Sequence, residues 1–340
     1  MTIKAVLDRS RRPSFARRAA SHLLPHASFW LGGLAVFVVN MSWVWLNPRF
    51  SIDPAFLLNM SVVLVTPLAL VYAEWRAPHF DRVFAALFRF FVVMLYVSLF
   101  WQQINLFNQL VMSTGVPLAD ERLMGWDNAL GLDWNAYVSA VASLAWHRHL
   151  LFFAYDQLIG LAVVLIIAIS IWRGRDDRVN ELAFLTLAGA LVTLAVAPFF
   201  PAEAAWRTIA APQTLALIGG YPDQEWNEHF SALRGEGPVV FALGNSHGLA
   251  TFPSYHTCLA LVILWCSRGS WIGLFAGLVC AVAIIAATPV YGAHYLVDLI
   301  GGAAVTAGVI LLWRRIESRG AVGISSIWWN VQDLPPEKGG

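Results

Sequence analysis

Two short segments in the last third of the chain hold the side chains whose types and spacing could do chemistry. Residues 252–257 read F-P-S-Y-H-T, and residues 291–298 read Y-G-A-H-Y-L-V-D. His294 and Asp298 are four residues apart, so on a helix they share a face and the carboxylate can accept a hydrogen bond from one ring nitrogen. The other nitrogen is then available as a nucleophile or base, and His256 offers a second imidazole that can donate a proton. This set predicts phosphoryl transfer without a metal ion.

The residues just before His256 favour the binding of an anion. Backbone N–H groups at the start of a helix attract phosphate, and Ser254 and Tyr255 stand where a helix carrying His256 would begin. We therefore expect both residues to contribute to a phosphate site. Neither histidine is part of a metal-ligand spacing, so no metal and no other cofactor is expected.

The elements that must position these residues are membrane-spanning helices. The chain has 340 residues, of which 58% are hydrophobic and 13% charged, and its mean hydropathy is +0.62. Soluble proteins average roughly 25% charged residues, so this composition excludes a disordered chain, a coiled coil, a disulfide scaffold and a nucleic-acid-binding protein. The prediction is an all-α integral membrane protein with about eight spans of roughly 20 apolar residues each. The predicted spans are 28–46, 54–73, 83–101, 151–172, 182–200, 249–267, 270–288 and 292–313.

Lysine and arginine are distributed unequally between the two sets of loops that these spans define. Of the 22 basic residues, 16 fall in the termini and loops of one side, five fall on the other side, and Arg89 lies within the third span. Because positive charge favours the cytoplasm, both termini are predicted to be cytoplasmic and both histidines to face outward. The Arg-rich, Lys-poor composition is typical of a bacterial protein, so the outside would be the periplasm and the membrane the inner one.

This topology divides the chain into four parts. Residues 1–27 form a basic cytoplasmic segment, 28–116 the N-terminal transmembrane helices, 117–313 a catalytic core with its periplasmic loops, and 314–340 a cytoplasmic tail. Two outside stretches, 117–150 and 201–248, are too long to be simple connectors, and long structured loops are usually functional. The first contains Asp127, an L-G-L-D-W run and a predicted amphipathic helix at about 135–148.

The two segments resemble the second and third signatures of the type 2 phosphatidic acid phosphatase superfamily. The resemblance lies in the P-S-Y-H run at 253–256 and the H-Y-L-V-D run at 294–298, which Gly301 and Gly302 follow. The sequence is most similar to the inositol phosphorylceramide synthase-like branch, which has a bulky residue at the position of Tyr255 and a Pro-rich stretch resembling F-P-A-E-A-A-W at 200–206. The third signature of that branch, T-x-x-Y-x-x-H-Y-x-x-D, matches five residues of this chain. They are Thr288, Tyr291, His294, Tyr295 and Asp298.

The resemblance implies a fold and a mechanism. The fold would be a helical bundle whose core helices carry the site at their outer ends. His294 would attack phosphorus to give a phosphohistidine, with assistance from Asp298, and His256 would protonate the departing alkoxide. Water or an alcohol would then attack the intermediate, and no metal would take part.

Two departures from the family pattern leave the phosphate with little positive charge. The common third signature begins with Ser-Arg, whereas Ala287 and Thr288 occupy those positions here, and the first signature, a Lys followed by Arg-Pro, is absent. The charge must therefore come from elsewhere. The candidates, in order of preference, are Arg207, Arg234 and Arg122, and His247 could also contribute.

Several functions remain open on this reading. A phosphatase would transfer the phosphoryl group of a lipid phosphate to water, whereas a synthase would transfer a phospholipid headgroup phosphate to a lipid alcohol such as ceramide or diacylglycerol. The expected partners are thus a lipid phosphate, an acceptor and the surrounding membrane lipids, with no nucleic acid. The alternatives are a lipid transporter or flippase without phosphoryl-transfer activity, or a catalytically inactive membrane scaffold. The absence of an inverted repeat in the sequence argues against a transporter.

Overall fold

The computed structural model describes residues 24–62, 65–66, 82–143, 147–219, 224–242, 248–292 and 294–318. Within these ranges the protein is predominantly helical, with one pair of short strands. The helices, in chain order, are α1 (Ala27–Leu46), α2 (Arg82–Met112), α3 (Asp120–Ala129), α4 (Trp134–Ala142), α5 (His147–Asp156), α6 (Leu158–Trp172), α7 (Asp176–Val196), α8 (Ala205–Thr208), α9 (Pro212–Ile218), α10 (Gln224–Arg234), α11 (Tyr255–Cys266), α12 (Trp271–Tyr291) and α13 (Leu296–Ser318). The strands are β1 (Phe50–Ile52) and β2 (Val239–Phe241).

Five of these helices, α1, α2, α7, α12 and α13, are long and apolar enough to cross a membrane. A sixth crossing results if α5 and α6, which are bent by 54° at their junction, form one broken span. The predicted class, an all-α membrane protein, is therefore confirmed. The count of eight stays a prediction, because nine of the 20 residues of the predicted span 54–73 lie outside the described residues, and the helix in 249–267 is the 12-residue α11.

The helices at the end of the bundle predicted to face outward differ from the predicted boundaries. The prediction that α2 would end at residue 101 and be followed by a loop is wrong, because α2 continues to Met112. Its last three turns are rich in amides that are buried and paired. Asn40 Nδ2 donates to Gln103 Oε1 at 3.0 Å, and the Ala250 N–H donates to Asn108 Oδ1 at 3.0 Å. The single amphipathic helix predicted at 135–148 is likewise replaced by α4 and the beginning of α5.

A layer of short helices, α3, α4 and α8 to α10, lies between the long ones at this end. It is joined to the N-terminal part by β1 and β2, which pair in parallel with Phe50 opposite Val239. The sequence did not predict this pairing, since strands of three residues leave too few positions to show an alternating pattern. The Val239 N–H also donates to the carbonyl of Arg49 at 2.9 Å, so residues on either side of α2 are fastened to each other.

Two glycines bring the beginning of α13 against the beginning of α11. A Cβ atom at Gly301 would lie 2.8 Å from the ring of Phe252, and one at Gly302 would collide with the backbone of Ser254. The Ser254 N–H donates to the carbonyl of Asp298 at 2.9 Å. The two segments that the sequence singled out are therefore in direct contact, and glycine is the residue that permits it.

The opposite end of the bundle carries a cluster of ion pairs. The buried carboxylate of Glu181 accepts hydrogen bonds from Arg178 at 3.0 Å and from Arg268 at 2.6 Å. Arg268 follows the C-terminus of α11, whereas His256 lies at its N-terminus, roughly 18 Å away for a 12-residue helix. The loops at 173–178 and 268 thus share one side of the bundle, as their charges predict.

Three predicted parts lie wholly or largely outside the described residues. They are most of the basic segment 1–27, the second half of the predicted span 54–73, and all but the first five residues of the tail 314–340.

Candidate active site

His294 and Asp298 form a contact pair at the beginning of α13. His294 Nδ1 lies 3.3 Å from Asp298 Oδ2, and both side chains are almost completely buried. The contact that the spacing predicts is present, although His294 lies two residues before the first residue of α13. The same Asp298 oxygen accepts the Tyr295 N–H at 2.9 Å, as an acidic residue does when it caps its own helix. A carboxylate in this position holds the hydrogen on Nδ1 and leaves the lone pair on Nε2.

His256 lies opposite this pair. It is in the first turn of α11, and the centroid of its ring is 6.0 Å from that of His294, with an angle of 73° between the ring planes. The carbonyl of Thr251 also lies against the His294 ring, so the segment before α11 closes one side of the site. The structure therefore brings together the three residues predicted to be catalytic, His294, His256 and Asp298.

Asp127 fixes the helix that carries the pair. Its carboxylate, 2% exposed, accepts the N–H groups of Leu296 at 3.1 Å and Val297 at 2.7 Å. These are the first two N–H groups of α13, and N–H groups at this end of a helix have no intrahelical acceptor. Burial raises the pKa of Asp127, while these two hydrogen bonds act in the opposite direction. Sequence analysis noted Asp127 in a long loop but could not identify its partner 169 residues away.

Two further contacts hold the segment between α12 and α13 from the outer layer. Trp134 Nε1 donates to the carbonyl of His294 at 3.1 Å. The Tyr295 hydroxyl donates to Asp120 Oδ1 at 2.8 Å and lies 2.5 Å from the Thr208 hydroxyl. The two long stretches predicted to lie outside thus supply a scaffold for the His294 segment, with residues from α3, α4 and α8.

Ser254 and Tyr255, predicted to bind phosphate, are engaged in other contacts. Ser254 is the N-cap of α11, where its fully buried hydroxyl accepts the N–H of Thr257 at 3.3 Å. The Tyr255 hydroxyl donates to the carbonyl of Thr186 on α7 at 3.0 Å. These contacts assign both side chains to support of the helix and do not favour the predicted role.

The predicted sources of positive charge are also occupied. Arg207 pairs with Glu203 at 3.3 Å. The guanidinium of Arg234 donates to three carbonyls at and just after the end of α2, those of Met112, Thr114 and Val116, at 3.4, 3.0 and 2.5 Å.

Arg122 donates to the carbonyl of Phe199 at 3.3 Å and lies over the ring of Phe200. His247 lies outside the described residues. Within the described residues, these hydrogen bonds, ion pairs and ring contacts of the three arginines are thus with residues other than the two histidines.

One aromatic side chain at the site was missed by sequence reasoning. The ring of Tyr155, in the last turn of α5, stacks on His256 with a centroid separation of 4.4 Å and an interplanar angle of 20°. A tyrosine inside an apolar stretch resembles the interfacial aromatic residues at the ends of spans, so the sequence contains no signal that separates the two roles.

The comparison with family models agrees with this geometry. A model of the PAP2 superfamily, the type 2 phosphatidic acid phosphatases, matches residues 121–312, which is more than half of the chain and includes both histidines, Asp298 and Asp127. The chain belongs to the PAP2 superfamily, whose members are phosphatases and phosphotransferases. No curated protein and no solved structure matches it significantly. Among the described residues, no three His, Cys, Asp or Glu side chains group as they would around a metal ion.

Proposed function

We propose that this protein is a membrane-embedded phosphatase or phosphotransferase that acts on a lipid phosphate or phospholipid headgroup through a phosphohistidine at His294. The observation that carries the proposal is the arrangement of three side chains. One imidazole is held by a buried carboxylate at 3.3 Å, and a second imidazole lies 6.0 Å from it, centroid to centroid. Two imidazoles this close together can both contact one phosphoryl group.

The reaction follows from the roles of the three side chains. Nε2 of His294 attacks phosphorus, the bond from phosphorus to the alkoxide breaks, and the imidazolium of His256 gives its proton to that alkoxide. In the second half, His256 takes a proton from water or an alcohol, whose oxygen attacks phosphorus, and the bond from phosphorus to nitrogen breaks. Asp298 stabilises the positive charge on the His294 ring in the intermediate, as the aspartate of a catalytic triad does for its histidine.

The hydrogen bonds of α13 exclude one set of groups that could hold the phosphate, the N–H groups at the start of that helix. The N–H groups of Tyr295, Leu296 and Val297 all donate to the carboxylates of Asp298 or Asp127, so they are not available to an anion. We infer that the phosphate is held by side chains and not by the first N–H groups of α13. Arg207 remains the candidate cation, because its neighbour Thr208 contacts Tyr295 and its 43% exposed side chain can turn away from Glu203.

We propose that the site faces the periplasm, with the termini in the cytoplasm and eight spans in the inner membrane. The basis is the distribution of lysine and arginine in the sequence. The ion-pair cluster around Glu181 supports it, because two loops predicted to be cytoplasmic meet there. A site in the outer leaflet would meet lipid substrates directly.

The choice between phosphatase and phosphotransferase is a matter of the acceptor. The inositol phosphorylceramide synthase-like signatures favour transfer to a lipid alcohol, without the need for a metal. Purified protein in vesicles would be given phosphatidic acid or phosphatidylinositol labelled with ³²P, with and without ceramide or diacylglycerol. Free phosphate indicates a phosphatase, and a new labelled lipid indicates a transferase. If neither product forms, and if lipid still moves between leaflets in the His294→Ala variant, the result would favour the transporter and refute the proposal.

A further inference from the structure

Tyr155 contacts both sides of the catalytic site. Its ring lies parallel to that of His256 at 4.4 Å. Its hydroxyl reaches Gly292, where a Cβ atom would lie 3.0 Å from the Tyr155 oxygen and 2.8 Å from Cδ2 of His294. The backbone at Gly292 thus lies between the hydroxyl of Tyr155 and the ring of His294 and is close to both.

The packing of α5 on α12 determines where this ring lies. Phe152, one turn before Tyr155, meets the ring of Tyr291 edge to face at 5.7 Å. Residues three apart share a helix face, so Phe152 and Tyr155 together grip the end of α12 at Tyr291 and Gly292. The chain then turns by 54° into α6, which ends α5 directly after the stacked tyrosine.

His256 needs such a support because of its position. It is in the first turn of α11, where the backbone fixes its Cβ but leaves two side-chain torsions free to rotate. The orientation of the His256 ring matters for the reaction, because a proton donor must come within about 2.6–3.2 Å of the oxygen that it protonates. An offset-stacked aromatic ring fixes the plane of an imidazole without occupying either of its nitrogens.

We propose that Tyr155 is a positioning residue that holds the imidazole of His256 in the orientation that protonates the leaving alkoxide. The proposal rests on the proposed function and adds a residue to it. Tyr155 acts through its ring. Its loss should therefore affect the proton transfers in which His256 takes part and leave the attack by His294 intact.

The choice of leaving group separates these two steps. Phosphatidic acid releases an alkoxide that needs a proton, whereas p-nitrophenyl phosphate releases a stabilised phenolate that does not. General acid catalysis contributes roughly 10²–10⁴-fold, so Tyr155→Leu is expected to lower kcat for phosphatidic acid by about 10–100-fold. The same variant should keep the first-turnover burst of p-nitrophenolate, which reports only the attack by His294, within about threefold of wild type. Tyr155→Phe retains the ring and should resemble wild type on both substrates.

Two controls make the experiment decisive. Phe153→Leu removes a neighbouring aromatic ring of α5 that is 41% exposed, and it should change neither rate. The double variant Tyr155→Leu with His256→Ala should be no slower on phosphatidic acid than His256→Ala alone, since both act on one step. If Tyr155→Leu does not fold, Tyr155→Met, which fills a similar volume without a ring, carries the same comparison.

Three results would overturn the proposal. They are a loss of the p-nitrophenolate burst as large as the loss on phosphatidic acid, additive losses in the double variant, and a Tyr155→Phe defect as large as that of Tyr155→Leu. The failure of the proposed function looks different, because the wild-type protein would then neither release nor transfer phosphate from either substrate.

Discussion

Asp127 gives the sharpest test of how the site is held. Asp127→Ala removes the acceptor of two N–H groups at the start of α13, those of Leu296 and Val297. Loss of an N-cap side chain costs about 0.5–2 kcal/mol, and each buried donor left without a partner costs about 1–3 kcal/mol. Water entering from the outer layer would relieve part of this, so we expect the free energy of unfolding to fall by about 2–4 kcal/mol.

The activity should fall together with the stability. The first turn of α13 fixes Asp298 and, through the Tyr295 N–H, the backbone of His294. A misplacement of about 1 Å can cost roughly 10²-fold in rate, so we expect kcat to drop about 10–100-fold. Since the displaced group is the nucleophile, the loss should be similar for phosphatidic acid and p-nitrophenyl phosphate. Asp127→Asn keeps one oxygen acceptor and the volume, and should lie between wild type and Asp127→Ala.

The assay combines thermal unfolding in detergent with kcat for both substrates, at a temperature where every variant is folded. Ser270→Ala is the matched control, because Ser270 caps α12 through the Gly273 N–H at the other end of the bundle. It should lower the stability by about 1 kcal/mol and leave kcat unchanged. If Asp127→Ala loses stability but keeps full activity, Asp127 stabilises α13 without positioning His294, and the prediction is wrong.

Three further predictions concern the chemistry and the topology. His294→Ala should abolish turnover of every substrate and Asp298→Asn should reduce it, whereas the first-turnover burst from p-nitrophenyl phosphate should largely survive in His256→Ala; a burst that survives in His294→Ala alone would mean that the two roles are reversed. Activity should persist in a chelator such as EDTA, because the proposed reaction uses only imidazoles and a carboxylate; a loss of activity restored by a divalent ion would contradict this prediction. A cysteine at the exposed position of Leu130, in the loop after α3, should react with an impermeant maleimide from the periplasm only, and reaction from the cytoplasm only would reverse the topology.

The local part of the site could be predicted from sequence. His294 and Asp298 are close because they are four residues apart at a helix start, a relationship that depends on helix geometry alone. The two glycines after Asp298 were recognised as part of a signature, and the structure supplies their reason. A side chain at either position would collide with the segment 252–254.

The direction of a side chain was harder to predict than its position. Tyr255 and His256 are neighbours, but successive residues of an α-helix point about 100° apart. When His256 turns toward Tyr155, Tyr255 turns toward Thr186 on α7. Its role in phosphate binding stays a prediction, and of these two neighbours it is the His256 ring that lies beside His294.

Contacts between distant parts of the chain were beyond sequence reasoning. Asp127 and Trp134 meet the His294 segment across 160 to 170 residues. Nothing in a single sequence states which carboxylate will accept which N–H group. The length of the loop predicted a function, and the structure shows one physical use for it, because the first N–H groups of a helix need acceptors that the helix itself does not supply.

The two arginines favoured for phosphate binding can be separated by how each is held. Arg234 donates to three carbonyls, so Arg234→Gln leaves several acceptors with weaker partners. We expect it to lower the stability of the protein and to leave KM and kcat of the folded fraction unchanged. Arg207 has a single, exposed ion pair with Glu203, worth about 0–1 kcal/mol, and it can leave that partner at little cost.

Arg207→Gln should therefore keep the unfolding temperature and raise KM for phosphatidic acid about three- to tenfold. The size follows from a charge that approaches the phosphate at the aqueous surface, where an ion pair is worth about 1 kcal/mol. Glu203→Gln is the matched control, because it frees the guanidinium and should lower KM or leave it unchanged. Unaltered KM in Arg207→Gln, together with an increase in Arg234→Gln, would reverse the assignment and require that Arg234 leave the carbonyls at the end of α2 when substrate binds.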